Sequence, residues 1–175
     1  MAFRFETERL VIRPWSPEDR DALARMAGDA VMMRYVTDGE VWSDQRVDEL
    51  MARINTHLGK HGICFAALEK KSTGEVVGLS GLQQLDDGNF ELGWWVWKDY
   101  WGQGFALEGT QPFVTHAREN MGLDRLVAVI EPENTASKRV AEKLGMHFEC
   151  MKSAQQTMAV RPDRPIAYYA MTLNS

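Results

Sequence analysis

Cysteine occurs only twice in the 175 residues, at Cys64 and Cys150. Two thiols in apolar, strand-like surroundings exclude a disulfide framework, and their separation has no metal-ligand spacing. No run approaches the roughly 18 apolar residues of a membrane span, and "MAFRFETERLVIRPW" lacks the zones of a secretory signal, so the expected location is the cytoplasm. Basic residues are also in deficit: the net charge of −5 argues against nucleic acid as the main partner, because that affinity rests on clustered Lys and Arg. An acidic surface mildly attracts amines or basic peptides. Internal repeats, linkers and low-complexity tracts are missing as well, and 45% hydrophobic with 26% charged residues is a globular composition. One domain over residues 1–175 follows.

Local patterns give an element order. "ETERLVIRPW" alternates like a strand and stops at Pro14. "SPEDRDALARMAG" reads as a helix, with Ser16 as N-cap, Pro17 at the first position and Gly28 at the end. A second amphipathic helix follows Ser43 through about residue 58, presenting Val47, Leu50, Met51, Ile54 and Leu58. "ICFAALEK", "EVVGLSGLQQL" and "FELGWWVW" are strands separated by the turn signals "KSTG" and "DDGN". A third helix runs from the "YWGQG" turn to Gly122, "LDRLVAVI" is a strand, and "NTASKRVAEKLG" is a helix capped by Asn134. "HFECMKSAQQTM" and "IAYYAMTL" complete the chain as strands. The class is α+β, with a mostly antiparallel mixed sheet of about seven strands and four flanking helices.

In "FELGWWVW", Phe90, Leu92, Trp94 and Val96 share one face, while Glu91, Trp95 and Trp97 share the other. Two covered faces make this strand central. It leads through Gly102 and Gly104 into a helix, whose first N–H groups have no intrahelical partner and carry partial positive charge. With no side chains in the way, such a turn is a candidate pyrophosphate cradle; a glycine pair at a strand-to-helix turn is also ordinary turn chemistry. The dinucleotide fingerprint fails at Leu107, and the Gly-Lys-Ser/Thr of a Walker loop is absent.

These stretches together resemble the GNAT superfamily of acyl-CoA N-acyltransferases, in particular the ribosomal-protein alanine acetyltransferase (RimJ/RimL) type. The matching segments are "TERLVIRPWSPED", "STGEVVGLSGL", "ELGWWVWKDYWGQGFALEG", "NTASKRVAEKLGM" and "IAYYAMTL", in order and spanning nearly the whole chain. The resemblance implies acetyl-CoA as cosubstrate and an amine as acceptor, either a protein N-terminal α-amine or a small-molecule amine. It implies that the amides of Trp101, Gly102, Gln103, Gly104, Phe105 and Ala106 hold the pyrophosphate. By the same resemblance, the backbone of Val96 and Trp97 pairs with the pantetheine arm, which Asn134 contacts and which fits a slot where the next strand diverges. Glu91 then stands where a general base is often found, with an edge charge or ion pair as the plain alternative. The resemblance also implies that the Ser137 hydroxyl would face the sulfur and could protonate the leaving thiolate, with Val96 N–H meeting the oxyanion. Arg34, Tyr35 and Trp95 fall in the acceptor region.

Three departures from the family pattern stand out. Ala141 replaces a frequent tyrosine acid, Trp101 replaces a frequent Arg or Gln, and Pro112 falls inside the helix after the cradle, where it should kink the axis. The missing tyrosine leaves room for a non-catalytic CoA-binding sensor as the alternative reading. His57 and His61 are four residues apart, but with Gly59 between them and no completing carboxylate they read as a surface helix end rather than metal ligands. No metal is expected, and a homodimer is compatible with the family.

Overall fold

The computed structural model describes residues 3–159 and 161–173. Among them, eight strands form one sheet in the order β1-β2-β3-β4-β5-β6-β8-β7. The strands are β1 (Phe5–Glu6), β2 (Leu10–Arg13), β3 (Phe65–Lys70), β4 (Val76–Gln84), β5 (Phe90–Val96), β6 (Arg125–Ile130), β7 (His147–Ser153) and β8 (Pro165–Thr172). Five helices accompany them: α1 (Arg20–Ala27), α2 (Ala30–Met33), α3 (Asp44–His61), α4 (Phe105–Glu119) and α5 (Thr135–Lys143). This is the expected α+β class, with one more strand and one more helix than the sequence patterns suggest. The additions are the two-residue β1, paired only to β2, and the single turn α2, whose first amides bond to the Asp29 carboxylate.

Local chemistry sets the helix ends. Ser43 caps α3 by accepting from Arg46 N–H, and Gly62 ends it in the left-handed conformation at φ 70°, where only glycine escapes a Cβ penalty. Ser16 opens a short 3₁₀ turn at Pro17–Asp19 that runs into α1.

Apart from the largely exposed edge strand β7, the sheet is mostly buried on both sides. Leu10, Ile12, Leu82, Leu92 and Val96 pack with Phe105 and Phe113 of α4 and Ala141 of α5. Leu79 and Ala67 pack on the other face with Leu23, Met26, Met33, Val47, Leu50 and Ile54 from α1, α2 and α3. Each fully buried aliphatic side chain contributes about 1.5–3 kcal/mol relative to exposure. Strand β5 is sandwiched as its pattern suggests, with Trp94 against the α4 side and Trp95 and Trp97 against the other. Among the described residues no helix is long and apolar enough to cross a membrane.

Candidate active site

All neighbouring strands pair antiparallel except β5 and β6. These two run parallel and meet at a single pair, Glu91 with Val127. Beyond it the rest of β5 pairs with no strand on that side among the described residues. Trp97 N–H donates to Val77 O at 2.7 Å, and Val96 lies opposite Gly78 in the antiparallel register. Alternation along the strand therefore turns the N–H and C=O of Val96 away from β4, towards the gap. Trp101 Nε1 donates to this Val96 carbonyl at 2.6 Å. Trp97 differs from the expectation placed on it: its N–H is spent on Val77, and its carbonyl accepts from Tyr100 N at 2.8 Å. Its amide is not open to a ligand, which leaves Val96 as the gap-facing backbone at this end of β5.

The chain leaves β5 through a 3₁₀ turn at Lys98–Tyr100 and enters α4 through two left-handed glycines, Gly102 at φ 73° and Gly104 at φ 82°. The first intrahelical bond is Glu108 N to Gly104 O. The N–H groups of Phe105, Ala106 and Leu107 thus precede the helix ladder and point out of its end. Gly104 has no side chain to cap them, and a β-carbon on Gly102 would meet nothing within 4 Å. Gln103 folds its side chain back to Asp99 O at 3.0 Å, so only its backbone is free for the turn. The Phe105 ring is core.

Arg9 was not suggested by its local sequence as part of this turn. Its guanidinium lies 4.1 Å over the Phe105 ring, 3.5 Å from the place of a β-carbon on Gly104. Glu108 holds it there: Oε2 takes Arg9 Nε at 2.6 Å, and Oε1 takes Arg9 N–H at 2.8 Å and the Thr7 hydroxyl at 2.6 Å. Those contacts, with neighbouring positive charge, hold the Glu108 carboxyl below the usual range despite its burial. The mouth of α4 thus combines free amides with a fixed cation.

A cavity of about 1150 Å³ touches both faces of the sheet at the β5/β6 gap. Glu91, Trp95 and Tyr35 line it from the side of α3, while Asn134 and Ser137 line it from α5. Trp95 is half-buried and stands edge-on to Trp42, with ring centres 5.5 Å apart. Arg34 is not among the lining residues; it is exposed, with its guanidinium 5.1 Å from the Tyr35 ring centre. Glu91 is 5% exposed. Its Oε2 accepts from Arg161 at 2.6 Å and also from Gln83 Nε2. The ion pair named as its plain alternative is present, and Oε1 accepts from neither donor.

Asn134 caps α5 through Oδ1, which takes Ser137 N–H at 3.1 Å. Only the carbonyl end of that amide is used, so its NH₂ can still donate. Ala141 is fully buried behind them and offers no acid. Glu131, which lines the cavity beside them, pairs with Arg164 at 2.8 Å, and burial raises its carboxyl above the ordinary value.

His57 departs from the surface reading. Its Nε2 accepts Gln84 N–H at 2.9 Å, which puts the ring proton on Nδ1, donated to Ile63 O at 2.8 Å. The ring ties α3 to β4 and stacks on His61 with centres 4.3 Å apart. Among the described residues, no group of three or more His, Cys, Asp or Glu converges as metal ligands.

Residues 9–147 match the acetyltransferase (GNAT) domain family. The uncharacterized N-acetyltransferase p20 of Bacillus licheniformis is 28% identical over 145 residues, covering 82% of each chain. Among solved structures, an acetyltransferase of the GNAT family from Bacillus anthracis superposes with a TM-score of 0.80 at 24% identity, covering 99% of this chain and 100% of that one. RimJ of Mycobacterium smegmatis, solved in complex with CoA-disulfide, has a TM-score of 0.75 at 21% identity over 93% and 81% of the two chains. These last two are likenesses of fold. With the family match spanning most of the sequence, and with a sheet split between β5 and β6 ahead of a glycine-led helix, the chain belongs to the GNAT acetyltransferase family, as an N-acetyltransferase resembling the RimJ/RimL type.

Proposed function

We propose that the protein transfers an acetyl group from acetyl-CoA to a primary amine, by direct attack in a ternary complex. The observation that carries this reading is the β5/β6 gap, which opens beside the unpaired amides at the mouth of α4. The residues fit the cosubstrate. An anionic diphosphate suits the N–H groups of residues 102–106 and the Arg9 guanidinium; the Trp101 N–H is spent on Lys98 O at 3.1 Å. An extended amide-bearing arm suits the unpaired edge at Val96, as an added strand would, once it shares or displaces the Trp101 indole at the carbonyl. Asn134 adds a side-chain donor.

In the reaction the neutral amine nitrogen attacks the thioester carbonyl carbon, the C–S bond breaks, and the amine proton leaves. Val96 N–H faces the gap where the oxyanion needs a donor. The Ser137 hydroxyl gives a proton to the departing thiolate and regains one from solvent. Glu91 receives the amine proton through water. A protein α-amine has a pKa near 8 and a lysine near 10, so the base matters more for the second. We place the protein in the cytoplasm.

A second reading, a CoA-binding sensor without turnover, is favoured by Ala141 at the usual acid position and by the Arg161 pair on Glu91. Thermal shift with acetyl-CoA, followed by acceptor-dependent release of free thiol across an amine and peptide panel, separates them. Stabilisation with thiol release is the expected result. Stabilisation without release supports the sensor, and the absence of both removes the support for the transferase reading.

A further inference from the structure

The wall of the cavity along α3 carries charge that the transfer chemistry does not use. Arg46, Arg53 and Lys60 recur every seven residues, which places them on one face of the helix, and all three line the cavity. Arg46 is paired with Asp38 at 3.0 Å. Arg53 has no ion pair or hydrogen bond among the described residues, although Glu49 stands four residues before it, the spacing that favours a Glu-to-Arg pair. Glu49 instead accepts from Gln45 Nε2 at 2.9 Å.

Although Arg53 is partly open to solvent, desolvation at the cavity wall and, after it, the like charge of Arg161 lower its pKa, against the weaker pull of Glu49 and Glu91. Arg161 is itself bound to Glu91. Glu91 is thus committed to Arg161, and Arg53 has no carboxylate of its own among the described residues. The cavity-lining carboxylates outside ion pairs, Glu49 and Asp86, are exposed, and each already takes an N–H, from Gln45 and from Ala159 respectively.

From this arrangement we infer that Arg53, beside Arg161, binds a carboxylate on the acceptor, so that the acceptor is an amine carrying an anionic group. The inference rests on the transferase reading above. A guanidinium fork matches a carboxylate with two parallel hydrogen bonds, and Lys60 adds charge of the same sign further along the helix. A polyamine would instead bring another cation towards Arg53 and Arg161, an unfavourable juxtaposition. The carboxylate can belong to a free amino acid or to an acidic side chain next to a peptide N-terminus. The chemistry is the same, and the acceptors chosen below tell the two sources apart.

The test measures kcat/KM by thiol release for matched acceptors: an amino acid against its carboxamide, a short peptide with an acidic second residue against its amide counterpart, and spermidine. The intact protein should prefer the acid in at least one pair by about tenfold, the worth of a charged hydrogen bond, mainly through KM. R53Q should bring that ratio towards one, and R53K should keep part of it. A retained thermal shift with acetyl-CoA shows that the variants are folded and hold the cosubstrate. Equal use of acid and carboxamide, preference for spermidine, or an equal loss for both members of a pair in R53Q would overturn the acceptor class while leaving the transferase reading intact. Failure of the intact protein to bind acetyl-CoA or to release thiol with any amine would remove both.

Discussion

Arg161 reaches Glu91 across seventy residues of sequence and donates to its Oε2 at 2.6 Å. Both side chains are largely covered, at 17% and 7% exposure. Removing one partner of such a pair leaves the other charge buried and unpaired. Arg161→Met should lower unfolding free energy by about 3–5 kcal/mol. Adding Glu91→Gln should recover much of that loss, because it removes the stranded charge. Urea unfolding of the single and double variants checks the cycle; additive losses would deny the pairing.

Glu91→Gln on its own should reduce kcat by about 10²–10⁴ if the carboxylate takes the amine proton. The deficit should shrink as pH rises towards the amine pKa, because the acceptor then arrives neutral. A pH series of thiol release checks this. A deficit that is constant with pH would assign Glu91 to holding the cavity in shape.

Thr7, Arg9 and Glu108 tie the β1–β2 turn to the first turn of α4. Glu108→Ala leaves a backbone N–H and a hydroxyl without their acceptor, at a cost of about 1–3 kcal/mol. The Arg9 guanidinium is 39% exposed and solvent screens it, so the ion pair adds only about 0–1 kcal/mol. Arg9→Lys should therefore cost much less stability than Glu108→Ala in urea unfolding. It should still weaken acetyl-CoA binding, which calorimetry measures.

His57 makes stability depend on pH. Burial lowers its pKa from the ordinary 6.5, and protonating Nε2 would break the bond from Gln84 N–H. A depressed folded-state pKa means that the unfolded chain takes up the proton first as pH falls. The contribution of His57 is thus complete above pH 6.5 and is lost as pH falls through the depressed folded value. His61 and His116 are lowered in the same direction by desolvation. Urea midpoints between pH 7.5 and 5 should fall, and His57→Gln should flatten part of that slope.

Much of this architecture could be read from local patterns. The two-faced β5, the caps at Ser43 and Asn134 and the glycine entry into α4 depend on neighbours within a few residues, and such signals survive in a linear string. The site's electrostatics do not. Arg161 lies in the "RPDRP" loop with nothing local to connect it to Glu91, and Arg9 meets Glu108 only because β2 folds back beside α4. The face shared by Arg46, Arg53 and Lys60 was available from helical spacing, but its meaning depends on which of them finds a carboxylate. The expectation for the Trp97 backbone failed for a similar reason. Which side of β5 its N–H faces is set by register with β4, through Val77, and not by the composition of β5.

The central claim is that bare backbone amides at the mouth of α4 hold the diphosphate of acetyl-CoA. Gly104→Asp and Gly104→Asn test it as a pair, because both side chains tolerate a positive φ about equally well and they differ in charge rather than size. Calorimetric titration of both folded variants with acetyl-CoA should show the Asp variant binding at least about tenfold more weakly than the Asn variant, since its carboxylate would face the diphosphate at close range. Equal dissociation constants for the two would contradict the claim.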